Sequence, residues 1–342
     1  MDESSFEMIT ALEAVKMAAS LCEKVRRDLG GRGSFLKQDR SPVTVADFGS
    51  QAVVCRLIRK KFPADIIVAE EDSAELRKPD HLRILDQVAS YVNEFVPDSS
   101  KGDVCSWIDL RSHSVADRFW ALDPIDGTKG FLRGDQYAVA LALIEYGTVR
   151  LGVMACPHLY LDRDHPGEKR GCLFYALRGK GSFQMDIDGR DGRILSVSKA
   201  EDPSEATFTE SIDPEHSNHL IHQGLARKIN ISKPSLRMDS QAKYGIVARG
   251  EATFYLRVPS SSEPDYKEKI WDHAAGSIIA EEAGGKVSDL LDHPLDFSSG
   301  IRMEKNHGIL VSNGILHGVI LEALQSLIPH PPPDLPLEGG GV

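Results

Sequence analysis

Asp123-Pro124-Ile125-Asp126-Gly127-Thr128-Lys129-Gly130 follows directly on the apolar run Phe119-Trp120-Ala121-Leu122. Two carboxylates three residues apart thus leave a buried strand and enter a tightly restricted turn. Pro124 fixes its own φ and holds Asp123 extended, so the strand is expected to end at Asp123. Gly127 permits a positive φ or a close approach of backbone to ligand. Thr128 adds a hydroxyl and, with Gly127, backbone N–H groups able to face an anion. Hard carboxylate oxygens beside such amides are what a Mg²⁺-dependent phosphate site needs. Taken alone, the octet also reads as an Asx-type turn, because Asp, Pro and Gly are ordinary turn residues.

Three further segments bear on that choice. Phe62-Pro63-Ala64-Asp65 turns into a short apolar strand, Ile66-Ile67-Val68-Ala69, with Glu70-Glu71-Asp72 at its end. Three adjacent acids repel one another unless they are solvated in a loop or neutralised by a cation. Ser41-Pro42-Val43-Thr44-Val45-Ala46-Asp47 leads into a helix that starts at Asp47 and runs through Val53, Val54 and Leu57. Trp271-Asp272-His273-Ala274-Ala275-Gly276 opens an Ala-rich helical pattern, for which Asp272 is a natural N-cap.

The 342 residues suffice for a large core in one big domain or two packed ones. A net charge of −11 argues against nucleic-acid polymers and anionic membranes as partners. It leaves room for a phosphorylated small molecule, since bound cations invert the local sign. Cys22, Cys55, Cys105, Cys156 and Cys172 form no CxxC pair, which suits reduced packing thiols of an intracellular, cytoplasmic protein. No apolar run has transmembrane length, Met1-Asp2-Glu3 opens no signal peptide, and the acidic start argues against an organellar leader without excluding one. The sequon at Asn230-Ile231-Ser232 is then a chance match.

Along the chain, Phe6, Ile9, Leu12, Val15, Ala19, Cys22 and Val25 predict a long first helix stopped by Gly30-Gly31. Helical patterns return from Asp47 to Lys61 and from His81 to Phe95. Strands are expected at Arg118–Leu122, Ala138–Tyr146, Val149–Ala155 and Leu173–Arg178, with Gly147-Thr148 as a hairpin turn. After about Pro203 short strands (Phe208–Ser211, Arg237–Asp239, Ala252–Leu256) alternate with helices (His219–Ile229, Gln241–Gly250, Asp272–Ala283). The expected organisation is an α+β part over 1–203, an α/β part over 204–328 and a disordered Pro/Gly-rich tail over 329–342.

Six stretches carry a family likeness: Ser41–Ala52 (SPVTVADFGSQA), Ala69–Ser73 (AEEDS), Asp123–Gly147, Met238–Gly245 (MDSQAKYG), Phe254–Pro259 (FYLRVP) and Glu268–Gly285 (EKIWDHAAGSIIAEEAGG). On them the chain resembles the lithium-sensitive, Mg²⁺-dependent phosphatases of the inositol monophosphatase superfamily. Within it, the chain is most similar to the 3′(2′),5′-bisphosphate nucleotidases of plants and yeast. The resemblance implies an α/β fold built as a layered αβαβα sandwich. It also implies hydrolysis of adenosine 3′,5′-bisphosphate (PAP) to AMP and phosphate, with PAPS to APS as an extension into sulfur metabolism. Inositol polyphosphate 1-phosphatase activity is the alternative within the class, and a non-catalytic nucleotide-sensing protein is the alternative outside it.

Phosphate monoester hydrolysis needs accelerations up to ~10²¹, roughly 29 kcal/mol, whereas side-chain acid–base catalysis contributes ~10²–10⁴. Cations, positioning and charge neutralisation must therefore dominate. The resemblance implies two or three Mg²⁺ ions on Glu70, Asp123, the Ile125 carbonyl, Asp126 and Asp272, and a water activated by Asp47 and Thr128. It places the substrate against Thr128, His216, Ser240, Lys243, Arg257 and Asp272. Read without the motifs, His216 is a surface histidine, and Lys243 and Arg257 are ordinary salt-bridge residues. Two departures from the family pattern stand out: Ala69 in place of glycine before Glu70-Glu71, and a long acidic loop, Pro259–Tyr266.

Overall fold

The computed structural model describes residues 3–29, 33–37, 42–162, 170–213, 218–260 and 266–328. The expected tail and the Gly30-Gly31 helix stop lie outside these residues. Among those described, the helices are α1 (Glu3–Leu29), α2 (Val45–Lys61), α3 (Leu82–Phe95), α4 (Lys101–Ile108), α5 (Thr128–Arg133), α6 (His219–Lys228), α7 (Ala242–Ala248), α8 (Ala274–Glu282) and α9 (His317–Gln325). A short antiparallel ribbon, β1 (Ser34–Leu36) with β2 (Pro42–Thr44), leads into α2.

Seven strands make the large sheet: β3 (Ile66–Ala69), β4 (Arg118–Asp126), β5 (Ala138–Glu145), β6 (Thr148–Tyr160), β7 (Arg170–Leu177), β8 (Gly181–Asp186) and β9 (Arg193–Ile194), adjacent in that order. β3 joins β4 in parallel and the other pairs are antiparallel. β10 (Phe208–Glu210), β11 (Leu236–Arg237), β12 (Phe254–Arg257), β13 (Lys286–Ser288) and β14 (Ile309–Ser312) form the second sheet, in the order β11-β10-β12-β14-β13.

The alternation of side chains along each strand sorts the layers. Trp120, Leu122, Leu141 and Val153 point to the face covered by α1 and α2, whereas Phe119, Ala121, Ala140 and Met154 point to the opposite face, which packs on α7 and α8. Those two helices also cover Tyr255 and Val311 of the second sheet. The far face of that sheet, with Phe254 and Leu310, packs against α6 and α9. The stacking is helix, sheet, helix, sheet, helix, the expected αβαβα sandwich.

Among the local details that differ from the sequence expectation, three stand out. The β5–β6 turn is Tyr146-Gly147, one residue earlier, with Glu145 opposite Thr148 and φ of 49° and 74° at the two central residues. Two positive φ values are what a two-residue hairpin of matching twist requires. Helix α4 was not expected at all. It is held by a capping box in which Ser100 and Asp103 exchange side-chain and backbone hydrogen bonds. Finally, β4 does not stop at Asp123 but continues to Asp126 through a register shift. Pairing with β3 ends at Leu122, so the N–H that Pro124 lacks is not demanded by a ladder on that side. Among the described residues no helix is long and apolar enough to cross a membrane.

Candidate active site

The N-terminus of α2 is set by a second capping box. Thr44 is the N-cap, with extended backbone, and its hydroxyl accepts from the amides of Ala46 and Asp47. In return Asp47 Oδ2 accepts from the Thr44 amide at 2.7 Å and the Thr44 hydroxyl at 2.6 Å. Asp47 is thus the third residue of the helix rather than its start, and the box fixes one carboxylate oxygen. The other, Oδ1, lies 3.2 Å from the Thr128 hydroxyl, which is also 3.2 Å from the Ile125 carbonyl. Burial raises the Asp47 carboxyl to about 6, against the opposing pull of the Thr44 hydroxyl and the Lys37 ammonium.

Thr128 opens α5 directly after Gly127, whose φ is 87°. A Cβ on Gly127 would stand 3.2 Å from that of Ser240, itself at φ 70°. The turn after β4 is therefore packed against the turn before α7, and glycine meets both the sign of φ and the space. One residue links them further. The Gln241 amide donates to Asp126 Oδ2 at 2.6 Å, its side-chain Nε2 donates to the Trp271 carbonyl at 2.9 Å, and its Oε1 accepts from the Gly276 amide at 3.2 Å.

Asp123 is buried at the centre. Burial raises its carboxyl well above the usual range, reinforced by Asp126, Glu70, Asp272 and Asp47 in that order. Its Oδ1 is buried with no hydrogen-bond partner among the described residues. Asp272 is raised likewise, first by burial and then by Asp126. It closes a 3₁₀ turn (Ile270–Asp272), and the N-cap of α8 is His273, so the capping role expected of Asp272 is not the one it has. Of the acids after β3, Glu70 and Glu71 share Lys37 at 2.9 Å and 2.5 Å. Glu71 is buried, and its backbone is held on both sides by the Gln51 amide.

This donor set fits a hard divalent cation. It offers only oxygens, one of them a buried orphan, and a mutual repulsion that positive charge relieves. The tightest groups of potential ligands among the described residues are Glu268, Asp272 and His273, and Glu210, His219 and His222, each with donor atoms within 4.8 Å of one another. The first shares Asp272 with the sequence-derived set, while Glu70, Asp123 and Asp126 stand further apart. In the second, Glu210 also accepts from Ser235 at 2.7 Å and Arg237 at 2.8 Å.

On the far side of the acidic centre lie the cationic candidates. Lys243 is buried; burial lowers its ammonium to about 8, with Asp126 opposing. It donates to the Met238 carbonyl at 3.3 Å, and its Nζ sits 5.2 Å over the Tyr255 ring. Arg257 donates from Nε to Glu268 Oε1 at 2.6 Å, so the salt bridge open to it from sequence does exist, in a buried setting. The Ser240 hydroxyl accepts from the Ala242 amide at 3.2 Å. His216 lies outside the described residues, as do residues 261–265 of the acidic loop.

Residues 4–328 match the profile of the Inositol monophosphatase family. The chain belongs to the inositol monophosphatase family. Its similar relatives include a rice (Oryza sativa) protein named 3′(2′),5′-bisphosphate nucleotidase, 43% identical over 94% of each chain. An Arabidopsis thaliana protein, 3′(2′),5′-bisphosphate nucleotidase 1, is 42% identical over 94% of this chain and 96% of its own. Among solved structures, the Thermotoga maritima IMPase superposes with a TM-score of 0.63 at 21% identity, covering 94% of this chain and 97% of that one.

In this inositol monophosphatase family member Asp126, Glu70, Asp272 and Asp47 surround the buried Asp123, Thr128 contacts Asp47, and Lys243 and Arg257 act on Asp126. Sequence reasoning did not single out Thr44, Lys37, Gln241, Glu268 or His273. The Thr-x-x-Asp capping pattern could have flagged Thr44. Gln241, Glu268 and His273 lay inside stretches quoted for the likeness, without a role. Nothing local pointed to Lys37.

Proposed function

We propose that this chain is a Mg²⁺-dependent phosphomonoesterase that converts adenosine 3′,5′-bisphosphate to AMP and phosphate. The observation carrying the proposal is the juxtaposition of two buried cations, Lys243 and Arg257, with a buried carboxylate centre. A monoester needs only the centre; a bisphosphate also uses the cations. The names of the rice and Arabidopsis relatives support the same reading.

Glu70, Asp123, the Ile125 carbonyl, Asp126 and Asp272 would hold two or three Mg²⁺ ions. Bound there, the ions supply charge neutralisation and Lewis acidity to the phosphoryl group. The chain's own part is orientation and proton handling. Asp47 Oδ2 is fixed by Thr44, so Oδ1 receives the Thr128 hydroxyl proton, and the Thr128 oxygen is then free to accept from the attacking water. Raised toward neutrality, the Asp47 carboxylate is matched to that transfer. Arg257 and Lys243 hold the non-scissile phosphate, one as a planar fork and one as a point charge. Ser240 and His216 complete the nucleotide contacts.

We further propose a division into 1–203 and 204–328, supported by the large sheet ending at β9 and the second opening at β10. Five buried free thiols fit a reducing, cytoplasmic setting. Phosphate release from adenosine 3′,5′-bisphosphate, inositol 1,4-bisphosphate and inositol 1-phosphate, each with Mg²⁺, tests the proposal. Preference for the inositol bisphosphate, with nucleotide turnover unchanged in Arg257→Ala, refutes the nucleotide assignment.

A further inference from the structure

A line of buried hydrogen bonds runs behind Arg257. Arg257 Nε donates to Glu268 Oε1 at 2.6 Å. The other oxygen, Oε2, lies 3.1 Å from His273 Nε2, and His273 Nδ1 lies 2.7 Å from the Tyr244 hydroxyl. The directions follow from chemistry. Glu268 is held as a carboxylate by the ion pair with the Arg257 guanidinium at 2.6 Å. A carboxylate only accepts, so His273 carries its proton on Nε2, and Nδ1 accepts from Tyr244. The Tyr244 end is closely packed: a Cβ on Gly276 would stand 2.5 Å from the Tyr244 ring, so that ring lies on the α8 backbone.

Both ends of this line meet the candidate site. Tyr244 follows Lys243 in the chain, and His273 follows Asp272. One network therefore starts next to one cation, passes beside an acidic candidate ligand and finishes on the other cation. Free arginine carries about 2 kcal/mol of rotamer entropy, and recognition of a phosphate by its fork depends on the plane of the guanidinium. Holding Nε sets that plane.

We propose that Glu268, backed by His273 and Tyr244, is a positioning residue for Arg257 and thereby determines recognition of a second phosphate on the substrate. This rests on the reading that Arg257 receives the non-scissile phosphate. The role is geometric rather than a matter of counter-charge, and two substitutions separate the two. Glu268→Asp keeps the charge but is too short to reach His273 and Arg257 together. Glu268→Gln keeps the shape and drops the charge; its amide can donate to His273 once the histidine proton moves to Nδ1 and Tyr244 accepts.

The experiment compares adenosine 3′,5′-bisphosphate with adenosine 3′-monophosphate, which shares the scissile group and lacks the second phosphate. Glu268→Asp should raise KM for the bisphosphate about tenfold, as displaced binding groups do, with kcat and the monophosphate KM within about threefold of wild type. Glu268→Gln should raise the bisphosphate KM less than Glu268→Asp does. In an Arg257→Ala background, Glu268→Asp should add nothing to the bisphosphate KM. The opposite ranking, Gln worse than Asp, or equal losses on both substrates, overturns the proposal. If Arg257→Ala leaves the bisphosphate KM unchanged, the reading of Arg257 itself fails instead. Should Glu268→Asp not fold, Tyr244→Phe decides. It removes one distant hydroxyl and should raise the bisphosphate KM alone, and no change there overturns the proposal.

Discussion

Asp123→Asn should stabilise the metal-free protein while abolishing most of its phosphatase activity. Asp123 is buried and faces Asp126, Glu70, Asp272 and Asp47, and its Oδ1 accepts from no described group. A pair of charges about 7 Å apart at an effective dielectric of about 20–40 repels by roughly 1–2 kcal/mol, so four such pairs reach several kcal/mol. The folded protein can escape that cost by protonating Asp123. At pH 7, protonating a carboxyl whose unfolded pKa is about 3.9 costs about 3.1 × 1.36, or roughly 4 kcal/mol. That figure caps the gain from the substitution, which should fall between about 1 and 4 kcal/mol and grow as pH rises. With Mg²⁺ the order reverses. An ion at 100 times its Kd stabilises the folded state by about 2.7 kcal/mol, and Asn at 123 forfeits much of that binding. The assay is urea unfolding of both proteins in EDTA and in MgCl₂, with phosphate release measured alongside. The reasoning is refuted if Asp123→Asn is the less stable protein in EDTA, or if Mg²⁺ stabilises both proteins equally.

Other outcomes follow from the same site. Lithium chloride at millimolar concentration should inhibit phosphate release while matched potassium chloride does not; equal effects would indicate ionic screening instead. Arg257→Ala should raise KM for adenosine 3′,5′-bisphosphate much more than for a monophosphate, by about 2–3 kcal/mol of lost charge-assisted pairing, read from kcat/KM on both substrates. Gln241→Ala should leave the Trp271 carbonyl and Gly276 amide without their partner, costing roughly 2–5 kcal/mol in urea unfolding and raising the Mg²⁺ concentration needed for half-maximal activity. His317 is buried between Ser288 and Ser312, and burial, then Lys286, lower its imidazole to about 4. The unfolded chain therefore binds the extra proton between pH 6.5 and 4, so stability is full above 6.5 and declines toward 4. His317→Asn should show a smaller drop in urea midpoint between pH 7 and pH 5 than wild type does.

The first five strands of the large sheet, β3 to β7, were legible because they alternate or run apolar, whereas β8 and β9 were not expected. Element edges were less legible. Tyr146 at positive φ pays a cost that a sequence reader assigns to glycine, which shifted the hairpin by one residue. Helix α4 spans eight residues with a glycine among them, too short and too broken for periodicity to register. The charged and polar supports of the site were hidden for another reason. Lys37 reaches Glu70 across 33 positions and Gln241 reaches Asp126 across 115, and no local pattern encodes partners at such separations. What could be read was a set of candidate side chains; what holds them in place is written in the tertiary fold.

The tie made by Gln241 has a consequence for how the protein comes into being. Its main chain grips Asp126 and its side chain grips Trp271 and Gly276, so the acids of the first sheet and Asp272 are brought into register only after segments 115 and 30 positions away have docked. A chain still emerging from the ribosome carries the Asp123–Thr128 turn long before it carries the clamp. Such a nascent chain has scattered carboxylates rather than a cation trap. The proposed cation site is therefore complete only after the later segments have docked, which makes cation uptake there a marker of completed folding.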